Sequence, residues 1–302
     1  MISPSCSTPP DTVQELLDVL DLKPAGTDRF TVQPKHFGRS RLYGGQIFAQ
    51  ALVAAHLTTG ERMPHSLHAC FLRPGSPDAP VFFEVERMLD GGAFSNRSVK
   101  AIQRGAVILT LIASFHRTET GFEHQTPAPE APAPEALACT AQLMKEWTEK
   151  SGETPHPMLE SSMTDRMGLE VRPVDPDSLF VAFQGPPQNA HWVRVRRRVS
   201  DDPRLHCWLL AFASDLGFIG TSLRPHGQPW YSKILQPSTI THSLWFHRPF
   251  RADEWMLYVM DSPSAHGARG LVRGSLYDRG GRLVASAAQD GLIRPISPAE
   301  ST

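Results

Sequence analysis

The sequence predicts an α+β fold built twice, each unit a curved antiparallel sheet wrapped around one central helix. Three observations predict it. Two segments of helical pattern, 47–57 and 205–218, are apolar on nearly every side. Each is followed by four strand-like segments. The two halves also share text at a nearly fixed offset. A helix that is apolar all round needs apolar cover all round, and a long twisted sheet supplies it.

The elements follow in order. Residues 1–11 carry no apolar run and read as a tail. Thr12 opens a helix: Thr12 and Glu15 have capping-box spacing, and Val13, Leu16, Leu17 and Leu20 mark one face. A short strand is expected over 28–33. Gly44-Gly45-Gln46 starts the first apolar helix. Strands are expected over 65–72, 81–89, 97–103 and 107–115. In the second of these, Val81, Phe83, Val85 and Leu89 lie on one face and Glu84 and Glu86 on the other. Arg104-Gly105 joins the last two as a hairpin.

Residues 126–136, TPAPEAPAPEA, form a Pro/Ala/Glu run expected to be extended and semi-rigid. A polar helix is expected over 137–150 and ordered structure again by 169–174. Residues 191–199 alternate as a strand. Asp202-Pro203 opens the second apolar helix, expected to run to Leu216 with Gly217 after its end. Strands are expected over 239–247, 255–261, 269–277 and 283–292.

His65-Ser66-Leu67 and Arg73-Pro74 return as His242-Ser243-Leu244 and Arg248-Pro249, and Arg97 and Arg269 each open a penultimate long strand. A repeat of this length is a domain duplication and no solenoid. The expectation is therefore a double hotdog: one hotdog unit over 12–125, a Pro-rich linker with a helix over 126–163, and a second unit over 164–297. Joined side by side, the two sheets hide an edge each.

Composition excludes several classes. With 302 residues, 40% of them hydrophobic, the chain has material for a real core. A net charge of −1 leaves no bulk attraction for nucleic acid or an anionic membrane. Cys6, Cys70, Cys139 and Cys207 are far apart, with neither disulfide-framework nor metal spacing, so a reducing cytoplasmic setting is expected. No apolar stretch is long enough to span a bilayer, and no signal peptide is visible. There is no G-x-S-x-G, HExxH, P-loop or G-x-G-x-x-G. No metal or cofactor is expected.

Five features bear on chemistry, four of them with two readings. Asp215 sits in the apolar run from Leu209 to Ile219. Burying a carboxylate there costs several kcal/mol or raises its pKa unless it is paired. It is either a helix-end acid that reaches solvent or a general base for water. Gln289, in a strand of small residues, is either a surface amide or a group at a site. Thr239 is an ordinary strand residue on its own evidence. Arg194, Arg196 and Arg198 share one strand face, which is either solvated or a phosphate-binding row. Gly44, Gly45 and Gln46 either permit tight helix–sheet packing or open a helix N-terminus toward an oxyanion.

Ordered stretches along nearly the whole chain resemble the acyl-CoA thioesterase II family, the medium-chain double-hotdog thioesterases. They include Gly44-Gly45-Gln46-Ile47-Phe48-Ala49-Gln50, Phe71-Leu72-Arg73-Pro74-Gly75, Asp90-Gly91-Gly92, Ala213-Ser214-Asp215-Leu216 and His242-Ser243-Leu244-Trp245-Phe246. The resemblance implies hydrolysis of fatty acyl-CoA by a water held and activated by an Asp, a Thr and a Gln. By position these fall on Asp215, Thr239 and Gln289. It also implies an acyl-CoA substrate and a homo-oligomer. Where the family often reads Thr-Ile-Asp-His, this chain has Thr239-Ile240-Thr241-His242, so an acidic role at position 241 is in doubt. A thioester carbonyl is an activated electrophile, so a base acting on water suffices and no acyl-enzyme is required. Two other functions stand beside this one: a non-catalytic acyl-CoA-binding module, and a hotdog hydratase or dehydratase.

Overall fold

The computed structural model describes residues 12–152, 167–176 and 184–296. The expected tail, 1–11, and part of the 126–163 linker lie outside these residues. Twelve described strands form one antiparallel sheet. They are β1 (Lys23–Gly26), β2 (Arg29–Val32), β3 (Met63–Phe71), β4 (Val81–Asp90), β5 (Phe94–Gln103), β6 (Ala106–His116), β7 (Leu169–Pro173), β8 (Gln188–Val195), β9 (Leu235–Phe246), β10 (Met256–His266), β11 (Arg269–Asp278) and β12 (Leu283–Pro295). The order is β1-β2-β4-β5-β6-β3-β9-β12-β11-β10-β8-β7. Reading outward from the centre gives the same plan on both sides, so a pseudo-twofold axis passes between β3 and β9.

The textual echo is this axis. Leu67 pairs with Leu244 across the β3–β9 seam, so the two His-Ser-Leu copies meet at their leucines. The Arg-Pro copies match in detail as well. The Arg73 guanidinium donates to the Val107 carbonyl at 2.7 Å, and that of Arg248 to the Leu283 carbonyl at 2.9 Å. The Arg97/Arg269 echo is not structural. Register places Arg97 opposite Ala113 and Gly274 opposite Ala287, the equivalent alanines, so Gly274 occupies the place of Arg97.

The two apolar helices lie inside the sheet and pack on each other. They are α2 (Gly44–His56) and α4 (Pro203–Ala213); α1 spans Thr12–Asp18 and α3 Thr140–Ser151. All but the first residue of α2 are buried, as its apolar circumference requires. α4 begins where expected, with Asp202 accepting from the Arg204 N–H at 2.9 Å and Pro203 at the first position. It ends three residues sooner than expected. Ser214 turns its hydroxyl back onto the Ala211 carbonyl, and Gly217, at φ 84°, bends the chain into a second short helix, α5 (Phe218–Leu223). Asp215 therefore sits in a turn, free of the helical ladder. β1 and α5 were not expected from the sequence; each is too short to show a period.

The Pro-rich run lies along the outer face of the second half. Ala128, Ala131 and Leu137 pack on Trp192, Trp255, Leu257 and Tyr277. The Trp192 indole N–H donates to the Pro132 carbonyl at 2.8 Å, and Arg172 to the Pro134 carbonyl at 2.7 Å. Cys70 and Cys207 are free thiols, whereas Cys139 is disulfide-bonded, against the expectation of thiols alone.

Candidate active site

Asp215, Thr239 and Gln289 are brought together. Asp215 lies in the turn after α4, Thr239 in β9 and Gln289 in β12. The Gln289 amide nitrogen donates one hydrogen to Asp215 Oδ1 at 2.7 Å and the other to Thr239 Oγ1 at 2.6 Å. Thr239 Oγ1 donates in turn to Asp215 Oδ1 at 3.3 Å. The amide must present its nitrogen here, because an ionised carboxylate accepts only. Its Oε1 is buried and has no partner within the protein. Gln289 is almost fully buried, whereas Asp215 and Thr239 are partly exposed.

Strand alternation alone would not aim Thr239 inward. His242 faces the core opposite Gln289, and Thr241 lies opposite Asp290 on the outer face. Period two would put Thr239 outside with Thr241. A register shift intervenes: Asp290 pairs with Thr241, but Gly291 pairs with Thr239. Ile240 is thus the extra residue of a β-bulge, and the bulge turns Thr239 into the site. It also places Thr241 on the far face, so an acid there would not reach Asp215.

The fourth contact comes from the other half. Tyr43 gives α2 no side-chain cap. Instead the Gly45 N–H donates to Asp215 Oδ2 at 3.0 Å. The two glycines are needed for this approach. A Cβ on Gly44 would stand 2.7 Å from Asp215 Oδ2, and one on Gly45 would stand 2.2 Å from the Phe212 carbonyl oxygen. Gly45 thus spends its N–H on the carboxylate, and the Gln46 N–H goes to the Tyr43 carbonyl at 3.1 Å. The Gln46 side chain is fully buried with no partner for its amide. Two residues of helix, roughly 200°, turn it away from the Gly44 side that meets Asp215.

Burial pushes Asp215 up to about 6. The hydrogen bond from Gln289, the Arg39 guanidinium, the Gly45 N–H and the Thr239 hydroxyl all act to lower it. Burial wins, and the result is a carboxylate poised near neutrality.

Groups the sequence did not single out hold the turn. Ser214 Oγ donates to the Ala211 carbonyl at 2.9 Å and is bonded at 2.8 Å to His242 Nε2. With the hydroxyl hydrogen spent, Nε2 carries the proton. The Tyr258 hydroxyl donates to the Ser214 carbonyl at 2.7 Å, and that of Tyr43 to the Phe212 carbonyl at 3.1 Å. His242 stood in the repeated motif, the one signal that marked it.

The arginine row is placed elsewhere. Arg194 projects from β8 on the face away from the helices, ion-paired with Glu170 at 2.8 Å and 4.4 Å from the Trp255 ring centroid. Arg196 donates to the Leu169 carbonyl at 3.0 Å, and Arg198 pairs with Asp201 at 3.1 Å. None of the three bonds to Asp215, Thr239 or Gln289. The pseudo-symmetric counterpart of the site is closed. Phe115, two residues on from Ala113, stands where Gln289 stands, and its ring centroid is 5.1 Å from that of His56. Among the described residues no cluster of His, Cys, Asp and Glu could hold a metal ion, and no helix is long and apolar enough to cross a membrane.

Comparison with known proteins gives one consistent result. A family model described as acyl-CoA thioesterase matches residues 164–292, and one described as acyl-CoA thioesterase N-terminal domain matches residues 33–116. Human acyl-coenzyme A thioesterase 8 is 39% identical, covering 95% of this chain and 91% of its own. Acyl-CoA thioesterase 2 of Haemophilus influenzae is 35% identical over 94% of this chain and 98% of its own. The crystal structure of an acyl-CoA thioesterase II from Mycobacterium marinum superposes with a TM-score of 0.76 at 35% identity, covering 93% of this chain and 99% of that one.

Proposed function

The chain belongs to the acyl-CoA thioesterase family, and we propose that its hydrolysis of acyl-CoA runs through Asp215, Thr239 and Gln289. One observation carries the assignment: a carboxylate pushed up to about 6, held by Gln289 and Thr239, with a partly exposed edge.

Asp215 is the base. Asp215 accepts one hydrogen of the attacking water, and Gln289 and Thr239, bonded to the carboxylate, hold it so that the water's lone pair meets the thioester carbonyl. The water oxygen bonds to the carbonyl carbon as Asp215 takes its proton. The carbonyl π pair moves onto oxygen. When the tetrahedral intermediate collapses, that pair returns, the C–S bond breaks, and the thiolate takes the proton from Asp215. Fatty acid and free CoA result, with no acyl-enzyme. A binding-only module or a hydratase has no need for an amide that orients both a hydroxyl and a carboxylate.

Phe82, Phe94 and Ile112, exposed on the outer faces of β4, β5 and β6, support a homo-oligomer that covers them. Release of free CoA, measured over a series of acyl chain lengths, tests the function. A folded Asp215→Ala enzyme that hydrolyses at the wild-type rate would overturn the assignment of the base.

A further inference from the structure

We propose that Tyr258 is a positioning residue for hydrolysis: by holding the Ser214 carbonyl, its hydroxyl fixes the peptide plane from which Asp215 projects. The proposal rests on Asp215 as the base of acyl-CoA hydrolysis, as described above.

Carbonyls at the end of a helix lack intrahelical donors, and each half of the fold brings a side chain from its sheet to that end. In the first half it is Arg97, which donates to the Thr58 hydroxyl at 2.7 Å and to the Thr58 carbonyl at 3.0 Å. In the second half Gly274 occupies the place of Arg97, and the donor is Tyr258. Register puts Val85, opposite Val99, where Tyr258 stands opposite Leu276. The two changes fit each other. A Cβ on Gly274 would stand 2.5 Å from Tyr258 Cε2, so the ring fills the space that a side chain at 274 would need.

The exchange also removes a charge. Thr58 and Asp215 are each the second residue past their helix. A guanidinium placed like that of Arg97 would therefore meet the carboxylate as a paired cation and make it a weaker base. A phenol supplies a donor and no charge. The groups that do bond Asp215, from Gln289, Thr239 and Gly45, are neutral as well.

Tyr258 is held as a strut. It is fully buried on β10, its ring edge-on to Phe218 at 5.7 Å and to His191 at 5.4 Å. From there the hydroxyl donates to the Ser214 carbonyl at 2.7 Å. That carbonyl and the Asp215 N–H share one rigid peptide plane. The rest of Ser214 is already fixed: its N–H donates to the Leu210 carbonyl at 2.8 Å, and its hydroxyl is bonded to the Ala211 carbonyl and to His242. The plane between Ser214 and the base is the part left to turn, and the Tyr258 hydroxyl stops it. Rotation there would swing the carboxylate off the Gly45 N–H, at 3.0 Å, and off Gln289, at 2.7 Å. A misplacement of about 1 Å can cost about 10² in rate. The hydroxyl thus acts on the rate through Asp215, without touching water or substrate.

A Tyr258 that served stability alone would change Tm and leave the chemistry as it is. CoA-release kinetics across pH, with thermal melts, of wild type, Tyr258→Phe, Gly274→Ala and the double variant separate the two. Tyr258→Phe keeps the ring and loses only the hydroxyl. The expected result is a kcat lowered by about 10–100-fold, a KM within threefold of wild type, and an acid limb moved to higher pH as Asp215 drifts from its donors. Gly274→Ala crowds the ring. It should lower kcat in the wild-type background, but by less than threefold in Tyr258→Phe, where no hydroxyl is left to displace. A folded Tyr258→Phe with kcat within threefold of wild type overturns the proposal. So does a Gly274→Ala loss that is as large without the hydroxyl as with it. Should Tyr258→Phe fail to fold, Gly274→Ala decides: a tenfold or greater loss of kcat at unchanged KM supports the role, and a smaller loss overturns it. If wild type releases no CoA, or Asp215→Ala releases it as fast as wild type, the underlying reading fails. If wild type is active, Asp215→Ala is not, and Tyr258→Phe matches wild type, only Tyr258 is excluded.

Discussion

The Gly45 N–H, at the start of a helix in the first half, donates to Asp215 Oδ2, in a turn of the second half, at 3.0 Å. A helix N-terminus carries partial positive charge and unmet N–H groups, so the carboxylate caps α2 from across the pseudo-twofold axis. Asp215, the proposed base, is thereby oriented by both halves at once. The duplicated fold supplies two such helix meetings, but only one pairs a carboxylate with an amide. The other holds His56 and Phe115, so there is one site of this kind among the described residues.

The glycines at this meeting should separate catalysis from folding. Gly45→Ala sets a Cβ 2.2 Å from the Phe212 carbonyl, a backbone atom that cannot swing away. We expect it to cost about 1–3 kcal/mol or more by overpacking. Gly44→Ala crowds only the Asp215 carboxylate, at 2.7 Å, and meets Phe71 at an ordinary contact distance of 3.5 Å. It should fold nearly as wild type but lose at least tenfold in kcat, because the base is displaced. Thermal melts alongside CoA-release rates check both; equal losses of stability in the two variants would count against this assignment.

The pH–rate profile should report Asp215. The base acts ionised, so kcat/KM is expected to rise with pH through about 6 and then level off. Gln289→Ala removes the strongest donor to the carboxylate, so its acid limb should move upward as its rate falls. Thr239→Val removes a longer bond, 3.3 Å against 2.7 Å, and should move the limb less. Identical limbs in all three enzymes would mean that another group titrates.

How much of this was legible in the sequence divides along physical lines. The two all-apolar helices and the alternating strands announce a sheet wrapped on a helix, because burial alone dictates them. The repeat announced the twofold plan, and Leu67 opposite Leu244 is where it is realised. Arg97 and Arg269 misled, since a shared letter at the start of a strand carries no register. The site was legible only in part. Asp215 stood out as a carboxylate in an apolar run. Thr239 had no signal of its own and was marked only by the family resemblance, because the bulge at Ile240 that aims it depends on pairing with β12. The arginine row had the right spacing for a shared face, but spacing does not say what covers that face. Here Glu170 and Trp255 occupy it.

Arg97 should matter for stability rather than chemistry. It is fully buried and donates to the Thr58 hydroxyl and carbonyl, to the Leu89 and Asn96 carbonyls, and to Asp90. Arg97→Ala strands the buried Thr58 hydroxyl and carbonyl, whereas half-exposed Asp90 returns to water, so the loss is about 1–3 kcal/mol. Chemical denaturation should show this loss, with kcat near wild type in whatever fraction stays folded.

The raised pKa of Asp215 also has a consequence for stability, with a definite sign. Its ordinary value is 3.8, and burial pushes it up to about 6 in the folded protein. A carboxyl raised on folding destabilises the fold as it ionises. The penalty is absent below the unfolded pKa, near 4, grows as pH rises, and is complete above about 6. Two pK units correspond to at most about 3 kcal/mol. Asp215→Asn cannot ionise, so it escapes the penalty, though it loses hydrolysis by about 10²–10⁴. Its Tm, relative to wild type, should therefore rise between pH 4 and pH 7 and then stay level. Melting both proteins at half-unit steps across that range tests it. A difference in Tm that does not change with pH would show that Asp215 ionises at its ordinary value, and the poised base would have to be given up.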